Sequence, residues 1–469
     1  MRKPTSTWNG STTRVLQAYG TKGVTFSFRG VQAQYTLSQG LFSSADIDTG
    51  SRFLLRELSS LWDRDTVSGT PLPRTVLDAG CGVGVLGISI ASYLKIHSVS
   101  PFHVHCQDRD ELAHLVTLAN AQQNNLTEDR LSAGAEPLLW TPPGNRWDLI
   151  ISNLPAKAGI PVLKNFISTS LSLLTGTGRV GVVVVNPLAA DLKAWITEAN
   201  ATILLEREGK GHRVFFFTPP TEEHGATPPD GTSSSTLAAR STEETEKEKD
   251  DFYKPYVRNR GTYQMEGIEY SLTSLHGVPG FDTPSKTAEL ATKVILKIAK
   301  EISSLFPNPF IFIYETDQGH FAVWLLLYLQ NRGLKNPLLG IGGRNILALE
   351  ASRRNIVAQK VHSELFNQPI VDPELSASAL RSIIQEGGRE KVDLFFSFPE
   401  PVPQTNRWSD LWKGYAEFLR PRGILVVSGS AQDLERMDRI RPSSFTRRAD
   451  IKRSGFRSIA YFHTPENTP

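Results

Sequence analysis

One stretch, Thr75 to Gly87, constrains this chain more than any other: Thr-Val-Leu-Asp-Ala-Gly-Cys-Gly-Val-Gly-Val-Leu-Gly. Thr75-Val76-Leu77 is a short apolar, β-branched run of the kind that forms a buried strand, and Asp78 closes it. Gly80, Gly82 and Gly84 form a turn without β-carbons to hold a ligand off the backbone. Val85 through Tyr93 predicts a helix whose free N–H groups face whatever sits over that turn. Strand, acid, glycine turn and helix make a site for a nucleotide-like ligand.

Two ligands compete for it. Gly82-Val-Gly84-Val-Leu-Gly87 fits the dinucleotide fingerprint, but that register puts Asp78, Gly80 and Cys81 inside a strand that should be apolar. The spelling Asp-x-Gly-x-Gly-x-Gly instead resembles the first motif of class I S-adenosylmethionine-dependent methyltransferases. The resemblance implies that the glycines let the backbone approach the methionine part of that cofactor.

The 469 residues allow two or three domains, each with a full core. A net charge of +3 excludes a strongly basic nucleic-acid binder by composition, though not a local patch. Cys81 and Cys106 are too few for a disulfide framework and read as small buried residues at strand ends. The start, Met-Arg-Lys-Pro-Thr-Ser-Thr-Trp, has no apolar run for a signal peptide, and Val180 to Val185 is too short to cross a bilayer. A soluble, cytoplasmic protein without a membrane partner or a metal is expected.

Taken in order, Val24–Phe28 and Val31–Leu37 predict a small β element turning near Gly30. Thr49 or Ser51 is expected to cap a helix carrying Phe53, Leu54, Leu58 and Leu61, with residues 63 to 73 a loop. Phe102 to Cys106 predicts a second strand ending at Asp108, where an acid can accept hydrogen bonds from both ribose hydroxyls. A helix over Ala113–Asn125 follows, then a strand from Trp147 into a proline-stiffened loop, a strand Arg179–Val185 and a helix Leu188–Ala199. Thr202–Glu206 and Arg213–Phe217 close on an antiparallel hairpin. Alternating strands and helices predict an α/β, doubly wound, Rossmann-like domain. Residues 219 to 250, rich in Pro, Glu, Thr and Ser, read as a disordered linker.

The second half repeats the first. Gly267-Ile-Glu-Tyr-Ser-Leu272 echoes Gly30 to Leu37, Ala348 and Asn355 match Ala113 and Asn120, and Val392-Asp-Leu-Phe-Phe-Ser397 matches Trp147 to Ser152. The chemistry is expected to be lost there: Asp317, Gly319 and Phe321 are read in place of Gly80, Gly82 and Gly84, and Gly343 in place of Asp108. The tail carries Arg439, Arg441, Arg447, Arg448, Lys452 and Arg453 with Phe445 and Phe456 interleaved, a composition suited to phosphate contact and base stacking.

Ser152-Asn153-Leu154-Pro155-Ala156-Lys157-Ala158-Gly159 resembles the Asn-Pro-Pro-x motif of methyltransferases that modify planar amino groups. A conjugated amine is a poor nucleophile. An Asn oxygen and a neighbouring backbone carbonyl can accept both of its hydrogens and draw the nitrogen towards a tetrahedral form, with proline fixing the chain direction. Leu154 stands where the motif has its first proline, and Ala156 where many members have an aromatic that stacks on the base.

With Gly40-Leu-Phe-Ser through Asp48-Thr-Gly-Ser51, these motifs over residues 30 to 217 resemble the small-domain methyltransferase family, which includes ribosomal RNA guanine-N2 methyltransferases. Tandem members with one degenerate copy are known; in the best-known ones that copy comes first, whereas here it comes second. The resemblance implies two tandem Rossmann-like seven-stranded domains, the first (1–218) catalytic and the second (251–469) degenerate, structural or RNA-holding. It implies S-adenosyl-L-methionine seated by Asp78, Gly80, Gly82, Gly84 and Asp108. It further implies an exocyclic amine held by Asn153, Leu154 and Pro155, most readily guanine N2 of ribosomal RNA or a ribosomal subunit. A protein glutamine amide as acceptor, and a non-catalytic RNA-binding or assembly protein with a vestigial cofactor site, stay open.

Overall fold

The computed structural model describes residues 11–97, 99–142, 144–220, 250–280, 282–334, 337–361, 363–400, 402 and 407–464. The linker expected at 219–250 lies almost wholly outside them. Among the described residues, nine strands belong to the first half: β1 (Gly20–Phe28), β2 (Val31–Ser38), β3 (Thr75–Ala79), β4 (His103–Asp108), β5 (Leu131–Ala135), β6 (Trp147–Asn153), β7 (Leu174–Val185), β8 (Thr202–Glu208) and β9 (His212–Thr218). Helices α1 (Ser11–Tyr19), α2 (Thr49–Ser68), α3 (Val85–Ile96), α4 (Glu111–Gln123), α5 (Ile160–Ser172) and α6 (Asn186–Glu198) run between them.

The seven-stranded sheet has the order β5-β4-β3-β6-β7-β9-β8. Its strands are parallel as far as β7, and β9 then runs antiparallel between β7 and β8. The parallel centre is covered on both faces, which is why Val76, Leu77, Ile150 and Ile151 are unbroken apolar runs with no exposure. Hairpin β1–β2 lies outside the sheet. Its Tyr35 is fully buried and shares a hydrogen bond with Ser89 Oγ of α3 (2.7 Å).

The second half repeats this plan. Hairpin β10 (Val257–Met265) and β11 (Ile268–Leu275) precedes β12 (Phe310–Tyr314), β13 (Leu338–Gly343), β14 (Glu364–Pro369), β15 (Val392–Ser397), β16 (Leu419–Ser430), β17 (Phe445–Arg453) and β18 (Phe456–His463). Its sheet order, β14-β13-β12-β15-β16-β18-β17, is the same. One side-chain staple recurs. Asn120 accepts from Thr36 N–H (2.8 Å) and donates to Val83 O, while Asn355 accepts from Thr273 N–H (2.8 Å) and donates to Gln318 O. Each ties its hairpin to the turn after the first sheet strand.

The structure departs from the sequence expectations at several places. Helix α2 continues through residues 63–68, and its cap is Asp48, whose carboxylate accepts from Ser51 N–H, rather than Thr49 or Ser51. Asp78 lies within β3, paired opposite Cys106 and Ile151. The correspondence between halves is shifted by two residues from the sequence reading. Gly319, left-handed at the start of the helix His320–Asn331, matches Gly84, so Glu315, Asp317 and Gly319 stand where Gly80, Gly82 and Gly84 stand. Phe321 is a buried core residue of that helix and not part of the turn. Gly343 does replace Asp108, each being the last residue of its strand. No described helix is long and apolar enough to cross a membrane.

Candidate active site

The carboxyl ends of the adjacent strands β4, β3 and β6 meet at the point where chain order reverses across the sheet, the usual place for a ligand in an open α/β sheet. Asp78 is fully buried on β3. Its Oδ2 accepts from Gly87 N–H in the first turn of α3 (2.8 Å), and its Oδ1 has no hydrogen-bond partner among the described residues. Burial pushes its carboxyl up to about 7, against the Gly87 hydrogen bond, and the nearby charge of Asp108 adds to the rise.

The turn itself hangs from β4: Gly80 N–H and Cys81 N–H both donate to Gln107 O, at 2.8 and 3.0 Å. All three glycines are left-handed, with φ of 82°, 57° and 85°. They are not equivalent, however. A β-carbon at Gly82 would meet nothing within 4 Å, and one at Gly80 only the tip of Leu138 at 3.5 Å. A β-carbon at Gly84 would lie 2.8 Å from Ile88 Cδ1 and 2.9 Å from Thr117 Cγ2. The first two therefore keep space open, and the third lets α3 pack on α4. Gly84→Ala is expected to cost about 2–4 kcal/mol through overlap and φ strain, read as a lowered thermal midpoint. Gly82→Ala should cost only about 1 kcal/mol of φ strain and act on ligand affinity instead.

Asp108 closes the turn from the other side. Its Oδ2 accepts from Gly82 N–H and its Oδ1 from Asp110 N–H, both at 3.1 Å. Burial raises its pKa, and the charge on Asp110 raises it further. Cys81 and Cys106 are buried, unpaired with each other, and Cys81 sits in the turn rather than at a strand end.

Asn153 ends β6. Its Nδ2 donates to Asp48 Oδ2 (2.7 Å) and to Ser51 Oγ (3.1 Å). A carboxylate can only accept, so Asp48 fixes the amide orientation and leaves Oδ1 as the outward acceptor. Nothing among the described residues donates to that oxygen. The departure at Leu154 is compensated: its side chain is buried and its N–H donates to Val183 O (3.0 Å), so side chain and backbone together fix the strand exit. Pro155 holds φ at −71° and its carbonyl accepts from Ala158 N–H. Ala156 and Lys157 are exposed.

The structure thus gathers Asp78, Gly80, Gly82, Gly84 and Asp108 around one turn and places Asn153, Leu154 and Pro155 at the end of the neighbouring strand. Sequence reasoning missed Asp48 and Ser51 as the groups that hold Asn153; the signal was present as an acid before Thr-Gly-Ser at a helix start. The segment from Gly40 to Asp48 runs from the α4 side, where Gly40 O accepts from Arg344, to Asn153, and it carries Phe42, a residue 72% exposed.

Residues 33–212 match the family model described as the methyltransferase small domain. Over these residues the chain is similar to a methyltransferase small domain. Over 159 residues the chain is 26% identical to the uncharacterized protein YbxB of Bacillus subtilis, a match covering 34% of this chain and 72% of that one. Over 121 residues it is 31% identical to ribosomal RNA small subunit methyltransferase C of Actinobacillus pleuropneumoniae, covering 26% of this chain and 31% of that protein. Both halves together resemble the solved structure of the T. thermophilus 16S rRNA N2 G1207 methyltransferase in complex with AdoMet and guanosine. That likeness covers 94% of this chain and 98% of the other at a TM-score of 0.54 and 14% identity, and it shows the shared fold. The two halves of the chain therefore share the fold of that two-part structure.

The basic tail looks different in the structure from its composition. Arg447 pairs with Asp438, Arg457 with Asp450, Arg439 with Glu435 and Arg441 with Asp438. Phe445 is buried against Trp412 and His463. Lys452, Arg453 and Phe456 stay exposed. Three of the six predicted phosphate-binding cations, Arg439, Arg441 and Arg447, are thus paired with carboxylates of their own hairpin and helix, and Arg448, Lys452 and Arg453 are exposed.

Proposed function

We propose that this protein is an S-adenosylmethionine-dependent methyltransferase acting on an exocyclic amine, with guanine N2 of ribosomal RNA as the acceptor. The residues present fit that cofactor. A buried carboxylate oxygen without a partner, Asp78 Oδ1, and unfilled space at Gly80 and Gly82 are what a turn built for a cationic, nucleoside-bearing ligand requires. When bound, the cofactor supplies an electrophilic methyl group. Asp78 and the glycine turn would seat its methionine end and Asp108 its ribose.

The observation that carries the reading is the orientation of Asn153. With Nδ2 committed to Asp48 and Ser51, Oδ1 is preorganised to accept an amine hydrogen, and the Leu154 carbonyl can take the other. Such acceptors need no strong base: they polarise the amine and orient its lone pair. The base has to be unstacked to reach the strand end. Phe42 on the rim offers the aromatic face that Ala156 does not, and Lys157 and Lys210 are exposed at the same edge of the sheet for phosphate contact. The 16S ribosomal RNA methyltransferases among the similar proteins support an RNA acceptor.

Incubation with radiolabelled S-adenosylmethionine and undermethylated ribosomal RNA or small subunits tests this reading. Label in RNA, mapped to guanine N2, is the expected result; label confined to protein would turn the reading to a glutamine amide. The partial neutralisation of the C-terminal hairpin gives that second acceptor more weight than composition does.

A further inference from the structure

The two halves clasp each other through matching residues. Arg109 and Arg344 each follow the last residue of the second sheet strand in their half. Arg109 donates to Gly277 O and Arg344 to Gly40 O, glycines that match in the two hairpin exits. Glu111 N–H donates to Arg344 O (2.9 Å) and Ile346 N–H to Arg109 O (3.0 Å), around an antiparallel bridge between Asp110 and Asn345. This is the self-complementary pattern of a two-fold contact, built within one chain.

The symmetry fails at one point. Arg344 is 6% exposed, and its guanidinium grips Asp110 with two hydrogen bonds, one of them Nε to Oδ1 at 3.0 Å. The reciprocal position holds Asn345, so Arg109 has no carboxylate there and stays exposed. The ion pair runs only from the half without a ribose-position acid to the half that keeps one. Asp110 in turn caps α4 through Leu112 N–H (2.9 Å) and donates its own N–H to Asp108 Oδ1. On the other side, Arg344 is anchored by Glu315, which accepts its backbone N–H (3.2 Å) and fills the space beside Gly343.

We propose that Arg344 is a positioning residue for Asp108: the degenerate half, having lost its own ribose acid, holds the acid of the first half in place through Asp110. The proposal rests on the cofactor reading above and assigns the second half a role in cofactor affinity. A bidentate guanidinium–carboxylate contact fixes direction as well as distance, which a lysine cannot do. The effect is therefore selective for the part of the ligand that Asp108 would touch.

The test uses the full chain and calorimetric titration with S-adenosylhomocysteine and its 2′,3′-dideoxy analogue. Arg344→Ala should weaken S-adenosylhomocysteine about tenfold and leave the weaker dideoxy analogue unchanged, with Arg344→Lys in between. Asp110→Asn retains a capping side chain on α4 but removes the carboxylate, and should show the same ribose-selective loss even if Arg344→Ala folds poorly. Equal losses on both ligands, or no loss on either, would overturn the proposal while leaving the cofactor reading intact. A wild-type protein that binds neither ligand would overturn that reading and the proposal with it.

Discussion

Asn153→Ala is expected to lower methyl transfer by about 10²–10³-fold, the usual cost of removing one preorganised acceptor or donor from a reacting centre, with cofactor affinity held within a few-fold. The asymmetry follows from where the side chain is anchored. Asn153 Nδ2 is held by Asp48 and Ser51, which belong to the start of α2, whereas the glycine turn hangs from Gln107 and Asp108 on β4. Truncating the amide leaves Asp48 still capping α2 through Ser51 N–H, so the helix stays in place. Single-turnover transfer to RNA, set beside calorimetric titration with S-adenosylhomocysteine, separates the two quantities. Lost ligand binding in this variant would remove Asn153 from the acceptor role.

The second large effect is a pH dependence centred on Asp78. Its carboxyl is raised to about 7 by burial, against 3.8 in water. Below about pH 4 folded and unfolded chains are both protonated at this group and folding bears no cost. Between about pH 4 and 7 the folded state holds a proton that the unfolded state releases, so stability falls as pH rises through this window. Above about 7 both states are ionised, and the folded protein carries the whole penalty, at most about 4 kcal/mol. Asp78→Asn should therefore raise the unfolding free energy of the ligand-free protein most at pH 8, by roughly a third as much at pH 5 and little at about pH 3.5, measured by urea denaturation. The opposite holds for ligand. The ammonium group of the ligand's amino-acid end over the turn favours the ionised carboxylate, so affinity for S-adenosylhomocysteine should rise about tenfold from pH 6 to pH 8 in the wild type and stay flat in Asp78→Asn. A parallel pH profile in both proteins would remove Asp78 from ligand binding. A stabilised but weakly binding variant would fit a site that sacrifices stability for its ligand.

The fold was legible because its signals were local and repeated. Thr75–Leu77, the glycines and Val85 onwards spell strand, turn and helix within one short window, and the same succession returns after Phe310. Where the sequence misled, longer-range geometry was responsible. The turn of the second half was misaligned by two because Glu315, the acid after the apolar run Phe310–Tyr314, reads in sequence as the counterpart of Asp78, whereas it lies beyond the end of β12. The left-handed Glu315 and Gly319, matching Gly80 and Gly84, fix the register. Likewise, composition made the tail look basic, but Asp438 meets Arg447, and Asp450 meets Arg457, only once the β17–β18 hairpin and its neighbouring helix have formed. The holders of Asn153 were hidden for the same reason: Asp48 and Ser51 lie a hundred residues upstream and meet it only once α2 packs beside β6.

The clasp between Arg344 and Asp110 has a further consequence because both residues belong to one polypeptide. Had the same two-fold contact been made between separate small domains, its occupancy would follow mass action and fade on dilution. Tethered in a single chain, the contact sees a local concentration set by the connection and not by the solution. Specific activity per molecule should accordingly stay constant as the enzyme is diluted to the lowest assayable level.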